Sequence, residues 1–352
     1  MTSTVPTLVL GGTGYVAGEL LRLLAGHPHL KVVGVMSASQ AGNPIRATFP
    51  QLQDCLGDLC FSTKAELIDL LAAGPHALFS AAPHGASAAL VAEFVAQAEK
   101  TDCELTIVDA SADFRYADAA DYEAVYGQPH GAPELLNRFT SVLPEHRQHV
   151  DQPHIGHPGC FATALLMAAV PLMKLDIALP DLFAVGVTGS TGSGRTPTAG
   201  THHPERQSNL FAYKPLAHRH SPEVVNICES VTGQRPALHF IPHSGPFARG
   251  IHITMQAQLK AKMSADAIRG ALADFYADAD FVRVHDDAPR IKDVVGSNYC
   301  HIGVAADGDT VVILVVIDNL IKGAAGGALQ WMNRKLGFAE TAGLTGPALA
   351  WI

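Results

Sequence analysis

The sequence predicts an α/β fold, in which a Rossmann-type doubly wound parallel sheet is followed by an α+β domain with a mixed or antiparallel sheet. Short apolar strands alternate with helical patterns over the first ~150 residues, as in a parallel sheet covered on both faces. After that point, strands are separated by long polar loops, with one predicted helix near Ala265 to Tyr276. The length of 352 residues also exceeds the length of chain that usually folds around a single hydrophobic core.

The domain boundary is predicted in a Pro- and His-rich stretch from Leu143 to Pro158, where the strand and helix alternation stops. We expect a nucleotide-binding domain at 1–157, an α+β domain at 158–318, and a C-terminal helix at 319–352 that returns to the first domain. An apolar helix is predicted from Ala162 to Leu172. The predicted strands are Thr7 to Leu10, Lys31 to Met36, Ala77 to Ala82, Leu105 to Ala110, Phe183 to Val187, Ala237 to Ile241, Ile251 to Leu259 and Val311 to Ile317.

Charge and hydropathy argue against two classes of partner. A net charge of −9 and a pI near 6.0 leave no broad cationic surface for nucleic acid. No apolar run approaches the ~18 residues of a membrane span, and the first residues lack the basic segment and apolar core of a signal peptide. The six cysteines are scattered without a Cys-x-x-Cys pair, as in a reducing compartment. We therefore expect a cytoplasmic protein that binds neither nucleic acid nor membranes.

The first predicted strand leads directly into a glycine-rich turn and then into a helical pattern. Gly11 and Gly14, with the small Ala17, allow a tight turn and the close approach of a pyrophosphate to a helix N-terminus. An ordinary strand-to-helix turn is the alternative, but this order at the start of the chain favours a dinucleotide site.

The residues after the second strand favour NADP over NAD. An NAD site usually places an acidic residue about twenty positions after the glycines to bind the ribose hydroxyls. Here no Asp or Glu occurs between Glu19 and Asp54, and Ser37 and Ser39 follow the strand. Their hydroxyls can donate hydrogen bonds to a 2′-phosphate, which a carboxylate would repel.

Cys160 follows a proline-glycine turn and directly precedes the apolar helix predicted from Ala162. Amides at a helix N-terminus stabilise a thiolate, which lowers the pKa of a thiol towards a reactive value. A small buried packing residue is the alternative, and it is our interpretation of Cys103, Cys228 and Cys300. Cys160 is the predicted nucleophile.

The densest polar cluster of the sequence combines four histidines with three cationic residues, between His202 and Glu223. The histidines could ligate zinc, but no His-Glu-x-x-His or paired-cysteine pattern is present, and the neighbouring cations would oppose a metal ion. We therefore predict no metal site. Cations beside histidines better suit an anionic substrate and a general base.

Two further segments suit anions. The glycine-rich loop from Gly189 to Arg195 is typical of a backbone-amide cradle for an anion or for the nicotinamide region, with a flexible linker as the alternative. Arg249 stands beside a glycine before a predicted strand, where it could clamp a carboxylate or phosphate in bidentate fashion.

A series of motifs along nearly the whole chain resembles the N-acetyl-gamma-glutamyl-phosphate reductase family, which shares a superfamily with aspartate-semialdehyde dehydrogenase. The motifs are GGTGYVAGEL, Pro83-His84-Gly85, Ser111-Ala112-Asp113-Phe114-Arg115, HPGCFATA, GSTGSGR, HHPER with HRHSPE, PFARGI, GSN at 296–298 and DNLIKGAAGGALQ. HHPER with AYKPLAHRH is also similar to the branch that contains the aminoadipyl-phosphate reductase of carrier-protein lysine synthesis.

The resemblance implies an NADPH-dependent enzyme of arginine biosynthesis that captures an acyl phosphate on Cys160 and reduces the thioester to an aldehyde. It implies His218 or His220 as the base, a catalytic and oligomerisation role for the second domain, and a homo-oligomer, either a dimer or a tetramer. The predicted cofactor contacts are Gly11, Thr13, Gly14, Tyr15, Val16, Ser37, Ser39, Pro83, Gly189 and Asn319. The predicted anion-binding residues are Arg115, Lys214 and Arg249.

Three alternatives stay open at this point. The first is an N-acyl-aminoadipyl-phosphate reductase, which differs in substrate chain length. The second is a zinc hydrolase that uses the clustered histidines, and the third is a regulator that binds NADP without catalysis.

Overall fold

The structure, a computed structural model, describes residues 4–350 and divides into two compact units. The first unit comprises the described residues up to Val142 together with 149–157 and 325–345. The second comprises 143–148, 158–324 and the residues from 346 onward. The predicted fold class is confirmed, because the first unit contains a parallel sheet and the second a mixed sheet.

The first unit is built on six strands that all pair in parallel, in the order β2-β1-β3-β4-β6-β5. The chain runs from β1 out to β2 and then crosses to β3 on the other side of β1. A crevice forms at the carboxyl ends of strands where the order reverses in this way. The strands are β1 (Val5–Leu10), β2 (Leu30–Val35), β3 (Gly74–Ser80), β4 (Cys103–Asp109), β5 (Phe139–Thr140) and β6 (His154–Gly156).

Helices cover this sheet through apolar faces. In α1, Ala17, Leu20 and Leu24 recur at helical spacing and are buried, which is the pattern of an amphipathic helix on a sheet. The helices are α1 (Tyr15–Ala25), α2 (Ile45–Thr48), α3 (Gln53–Leu56), α4 (Lys64–Ile68), α5 (Ser87–Lys100) and α6 (Ala119–Tyr126).

The second unit contains a seven-stranded mixed sheet in the order β11-β12-β13-β10-β7-β9-β8. Its strands alternate between a buried and a more exposed face; in β10, for example, Ile253 and Met255 are buried whereas Gln256 is exposed. The strands are β7 (Ala178–Thr188), β8 (Phe211–Ala212), β9 (Ala237–Ser244), β10 (Ile251–Leu259), β11 (Val282–His285), β12 (Cys300–Asp307) and β13 (Thr310–Ile317).

The helices of the second unit are α7 (Cys160–Lys174), α8 (His203–Arg206), α9 (His220–Thr232) and α10 (Ala265–Phe275). α7 is the core helix, since it is buried from Phe161 to Met173. The prediction that long polar loops separate these strands was wrong for the segment that forms α9. Its apolar face of Val224, Ile227 and Cys228 has helical spacing but is short, and the polar start of the helix obscured it.

The chain leaves the second unit through one π-helical turn at Ile321–Ala325 and continues as α11 (Gly326–Lys335). α11 belongs to the first unit, where the indole Nε1 of Trp331 donates to the carbonyl of Val142 at 2.8 Å. Residues 321–324 of the π turn and residues 143–148 belong to the second unit, whereas the boundaries predicted from the sequence place them with the C-terminal helix and with the first domain.

Candidate active site

The turn after β1 leaves room for phosphate groups at the start of α1. Gly11 has φ of 71°, and a Cβ there would lie 2.5 Å from the backbone of Ala82 after β3, so only glycine fits. Gly14 is the N-cap of α1, and nothing lies within 4 Å of the position a Cβ would take. In the described part of the chain no side chain caps this helix, which leaves its first amides facing a potential anion.

The other predicted cofactor residues of the first unit surround this turn. Thr13 lies within it, while Tyr15 and Val16 begin α1. Pro83 follows β3 and is exposed. The amide of Gly12 donates to the carbonyl of Met36 at 2.8 Å, which brings the end of β2 beside the turn.

Ser37 and Ser39 directly follow this end of β2. Ser37 is buried and its amide donates to the carbonyl of Ser62 at 3.1 Å, whereas Ser39 is exposed. Their contact with a 2′-phosphate stays a prediction.

Asp113 has a structural role that the sequence did not reveal. Its carboxylate accepts hydrogen bonds from the amides of Gly85 at 2.7 Å and Ala88 at 2.9 Å, at the start of α5. The Tyr122 hydroxyl donates to it at 3.1 Å. Asp113 therefore holds the loop after β3, which contains Pro83. Its contacts join distant segments, so no local pattern could have predicted them.

Arg115 is half-buried in the first unit and binds main-chain carbonyls. Its Nε donates to the carbonyl of His157 at 3.0 Å and its Nη2 to that of Ala110 at 3.4 Å. These bonds fix the guanidinium in place, and its predicted contact with substrate stays a prediction.

Cys160 is the first residue of α7 and is half-buried, with Gly159 as the N-cap. It lines a cavity of about 280 Å³ in the second unit together with His218 and His220. Lys214 also lines this cavity and is exposed. The structure therefore brings together the predicted nucleophile, both candidate bases and one predicted anion-binding residue.

The two histidines differ in their surroundings, although their ring centroids lie only 4.8 Å apart. The Nδ1 atom of His218 accepts a hydrogen bond from the amide of His220 at 3.3 Å, which places any proton of the neutral ring on Nε2. Burial, aided by the charges of Arg219 and Lys214, lowers the pKa of His218 to about 4. His218 is therefore a neutral imidazole near pH 7.

Tyr213 also lines the cavity. Burial and, to a lesser degree, the charge of an ionised Cys160 raise the pKa of its phenol well above the usual range. The hydroxyl therefore keeps its proton at neutral pH and offers a neutral donor beside the thiol.

Glu223 is a buried acidic residue that the sequence did not single out. It lies on α9, three positions after His220, and its side chain is 0% exposed. Its Oε1 accepts a hydrogen bond from the amide of Gly159 at 2.7 Å. One side chain thus connects the helix of the candidate base with the turn before Cys160.

The π turn packs directly against the candidate nucleophile. A Cβ at Gly323 would lie 2.7 Å from the Cβ of Cys160, so glycine is required for this approach. Lys322, the preceding residue, is buried and forms an ion pair with the equally buried Glu145.

The amide-cradle prediction for the loop after β7 was wrong for its first three residues. The amides of Gly189, Ser190 and Thr191 donate to the carbonyls of Gly250, Phe247 and Ala248, at 2.9 to 3.1 Å. These amides are therefore engaged within the protein. The later part of the loop, Gly192 and Ser193, lines the cavity that contains Cys160.

Asn319 binds the same loop. Its Nδ2 donates to the Thr191 hydroxyl at 3.0 Å, and its Oδ1 accepts from the amide of Gly250 at 2.7 Å. The side chain thus has an internal positioning role, and the predicted cofactor contacts of Asn319 and Gly189 stay predictions.

Arg249 has an internal partner that the sequence did not indicate, and its predicted contact with an anion stays a prediction. Its Nε and Nη2 donate to the two carboxylate oxygens of buried Asp318, at 3.1 and 3.2 Å. The same carboxylate accepts from the amides of Gly296, Leu320 and Ile321, at 2.7 to 3.0 Å. Three sequence motifs therefore meet at Asp318.

No group of three or more His, Cys, Asp or Glu side chains among residues 4–350 is placed to hold a metal ion. No helix in that range is long and apolar enough to cross a membrane.

Two family models match the chain, one on each side of residue 150. Residues 7–144 match the semialdehyde dehydrogenase, NAD binding domain, and residues 160–319 match the semialdehyde dehydrogenase, dimerisation domain. Fold and site together define an oxidoreductase that uses a nicotinamide cofactor. The chain belongs to the semialdehyde dehydrogenase family.

Curated relatives are similar over almost their whole length. The N-acetyl-gamma-glutamyl-phosphate reductase of Nitrosococcus oceani is 38% identical over 343 residues, covering 96% of each chain. The protein of that name from Pseudomonas aeruginosa strain PAO1 is 39% identical over 349 residues, covering 97% of this chain and 98% of the relative. The LysW-L-2-aminoadipate 6-phosphate reductase of Deinococcus radiodurans is 38% identical over 349 residues, covering 96% and 95%. The family resemblance inferred from the motifs is confirmed.

Solved structures share the fold at low identity. Aspartate semialdehyde dehydrogenase II from Vibrio cholerae has a TM-score of 0.70 at 15% identity, covering 95% of this chain and 99% of that one. Aspartate semialdehyde dehydrogenase with NADP from Candida albicans has a TM-score of 0.65 at 15% identity, covering 97% and 100%.

Proposed function

We propose that this protein reduces N-acetyl-gamma-glutamyl phosphate to N-acetylglutamate semialdehyde, with NADPH as reductant and Cys160 as nucleophile, in arginine biosynthesis. The observation that supports it most strongly is that Cys160, at the start of α7, lines one polar cavity with two histidines. The relatives named N-acetyl-gamma-glutamyl-phosphate reductase support the substrate.

The reaction begins with attack of the Cys160 thiolate on the acyl phosphate carbonyl. A carbon–sulfur bond forms, the bond from carbon to the phosphate oxygen breaks, and inorganic phosphate leaves with the electron pair. The amides at the start of α7 and the neutral Tyr213 hydroxyl are the hydrogen-bond donors suited to stabilise the oxyanion that forms in this step. The product of this step is a thioester on Cys160.

NADPH supplies a hydride to the thioester carbonyl when it is bound. In the first unit, the turn from Gly11 to Gly14 and the start of α1 would hold its pyrophosphate, and Ser37 and Ser39 its 2′-phosphate. Collapse of the resulting thiohemiacetal breaks the carbon–sulfur bond, releases the aldehyde and restores the thiolate.

We propose His220 rather than His218 as the residue that protonates the alkoxide left by hydride transfer and takes the same proton back when the thiohemiacetal collapses. A catalytic base works best with a pKa near the operating pH, and burial keeps the pKa of His218 at about 4. His218 also accepts the amide hydrogen of His220 on Nδ1. It is better suited to position the start of α9 than to accept a proton.

We further propose that the enzyme is a cytoplasmic homo-oligomer, a dimer or a tetramer. The second unit matches a dimerisation domain, and β7 exposes large apolar side chains, with Phe183 52% and Val185 40% exposed. All six cysteines are thiols and none forms a disulfide, which suits a reducing compartment.

The central test replaces the sulfur of Cys160. NADPH formation is followed with N-acetylglutamate semialdehyde and inorganic phosphate, which runs the reaction in reverse. Cys160→Ser should lose nearly all turnover while it keeps NADP binding, because an alkoxide is not formed near pH 7 and an oxygen ester accepts hydride poorly. The matched control is Cys55→Ser, which changes an exposed thiol and should have no effect. Substantial turnover by Cys160→Ser would exclude the thioester route.

A second candidate is reduction of an N-acyl-aminoadipyl phosphate. It is supported by the 38% identity to the Deinococcus radiodurans reductase. Initial rates on glutamyl and aminoadipyl acyl phosphates distinguish the two, because one extra methylene changes the free energy of transition-state binding by about 1–3 kcal/mol. A higher kcat/KM for the aminoadipyl substrate would select this candidate.

A further inference from the structure

A second cavity, of about 470 Å³, lies in the second unit and borders the loop after β7. It is lined by Ser190, the second residue of this loop, and by the segment 246–248 to which the loop is hydrogen-bonded. Its other polar side chains are Thr201, His203, Arg206, Gln207 and Ser208. The set combines hydroxyl groups with one guanidinium, and the reaction proposed above uses none of them.

Arg206 is the unusual member of this set. Its residue is only 8% exposed, and one guanidinium nitrogen, Nη2, donates to the carbonyl of Gly245. The other two, Nε and Nη1, are buried and have no hydrogen-bond acceptor among residues 4–350. Buried donors without acceptors are rare in native proteins because they lose their hydration without compensation. Such a group indicates a missing partner.

The missing partner is not an acidic side chain of this unit. No described carboxylate forms an ion pair with Arg206, and burial is the only cause that lowers the pKa of its guanidinium. The guanidinium stays charged at any physiological pH. Arg249 contrasts with it, because Asp318 already satisfies that fork.

The remaining donors suit an oxyanion. Nε and Nη1 lie on different edges of the planar guanidinium, and each keeps N–H groups that can donate to a carboxylate or phosphate oxygen. The hydroxyls of Ser190, Thr201 and Ser208 line the same cavity and can donate to further oxygens.

We propose that this cavity is an oxyanion-binding site in which Arg206 binds a carboxylate or phosphate group. Given the proposed function, the two sources are the carboxylate of the N-acylated amino acid and inorganic phosphate. Ser190 links the site to the reaction, since its loop continues to Gly192 and Ser193 beside Cys160. An anion bound to Arg206 therefore contacts the loop that forms one wall of the thiol cavity.

The test measures binding to the full-length protein by isothermal titration calorimetry, in the absence of NADP. The probes are N-acetylglutamate, which carries the carboxylates, and inorganic phosphate. Arg206→Gln should weaken binding of at least one probe by about tenfold or more, and Arg206→Lys should do so less because it keeps the charge and loses only the additional N–H donors of the guanidinium. The probe that loses affinity identifies the source of the anion.

The matched control is Arg235→Gln, which removes an exposed cation that pairs with Glu229 and should leave both affinities unchanged. Unchanged affinities for both probes in Arg206→Gln would overturn the proposal, as would an equal loss in Arg235→Gln. Binding of the probes is also measured in Cys160→Ser. Turnover thus tests the thioester route, and the affinities test the anion site independently of it.

A second measurement uses the unaltered protein, in case Arg206→Gln does not fold. Phenylglyoxal modifies arginine side chains, and peptide mass spectrometry locates the modified positions. N-acetylglutamate or phosphate should slow modification of Arg206 severalfold and leave Arg235 unaffected. Equal rates at Arg206 with and without both probes would contradict the proposed site.

Discussion

Glu223 shows how much of the site depends on a single buried side chain. Its carboxylate accepts the Gly159 amide directly before Cys160, and the residue is wholly inaccessible to solvent. Removing the acceptor of a buried amide lowers the free energy of unfolding, because the amide then lies in the interior without a hydrogen-bond partner. The position of Cys160, the proposed nucleophile, should therefore be sensitive to this residue, although Glu223 need not contact the substrate.

We expect Glu223→Ala to lower the free energy of unfolding by about 1–3 kcal/mol, since the Gly159 amide loses its acceptor. Glu223→Gln should lose less, because the amide oxygen of glutamine can still accept that hydrogen bond. Urea denaturation measures the difference, and turnover should fall in the same order. Equal stability of the alanine and glutamine variants would show that the bond to Gly159 does not stabilise the protein.

Residues that act through local sequence context could be predicted, and those that act through distant contacts could not. Gly11 and Cys160 stand in strand-turn-helix and turn-helix patterns that a short window reveals. The bond from Glu223 to Gly159 joins residues 64 positions apart, and the fork between Arg249 and Asp318 joins residues 69 apart. The local sequence around Arg249 predicts an anion-binding arginine, because it does not reveal that a carboxylate of the same chain lies beside the guanidinium.

At the scale of elements, the π turn at Ile321–Ala325 packs against Cys160, the proposed nucleophile. π-helical turns are rare and are found frequently at functional sites, because they insert an extra residue into a helix. Here the turn brings Gly323 against Cys160, while the buried pair of Lys322 and Glu145 holds the turn within the second unit.

Gly323→Ala should reduce turnover strongly, because its methyl group would lie 2.7 Å from the Cβ of Cys160 and displace the start of α7. NADP affinity should stay unchanged, which separates a local effect from misfolding. The matched control is Gly270→Ala on α10, where nothing lies within 4 Å of the added carbon. Normal kcat in Gly323→Ala would show that the two backbones tolerate a wider separation.

The elements themselves were predicted well where the apolar pattern was long. Helix α7 and strand β10 have such patterns. Nearly every residue of α7 is buried, and buried residues alternate regularly with more exposed ones along β10. α9 was missed because only three buried apolar residues, preceded by polar ones, give a weak signal. This omission also concealed Glu223, which was considered only as part of a polar cluster.

At the scale of the whole molecule, several buried histidines make stability depend on pH. Burial lowers the pKa of His146, His218 and His301 to about 4 and that of His154 to about 3. In the unfolded chain these groups titrate near pH ~6.5. Between these values the unfolded state binds more protons than the folded state, so stability falls as the pH decreases. Asp109 acts in the opposite direction, because burial raises its pKa to about 6.

We therefore expect the free energy of unfolding to be lower near pH ~5 than near pH ~7, with urea denaturation as the measurement. His218→Asn removes one of these groups and should lose less stability over that interval than the unaltered protein does. An unchanged or rising free energy towards pH ~5 would mean that these histidines are protonated in the folded state.

Phe183→Lys should weaken the proposed homo-oligomer, because it places a charge on the apolar face of β7. Analytical ultracentrifugation should show a smaller species for this variant at concentrations where the unaltered protein is assembled. Leu70→Lys, which alters an exposed leucine of the first unit, is the control and should leave assembly unchanged. Identical sedimentation of both variants would place the interface elsewhere.

Asp318 limits how the second unit could be redesigned. Its two oxygens accept hydrogen bonds from donors in three chain segments, those of Arg249, of Gly296 and of the backbone just after Asp318 itself. Asparagine has nearly the same shape but would turn an N–H₂ group towards some of those donors. In a library with every amino acid at this position, aspartate alone should survive selection. Loop grafts that replace residues 246–250 would have to retain the arginine that pairs with it.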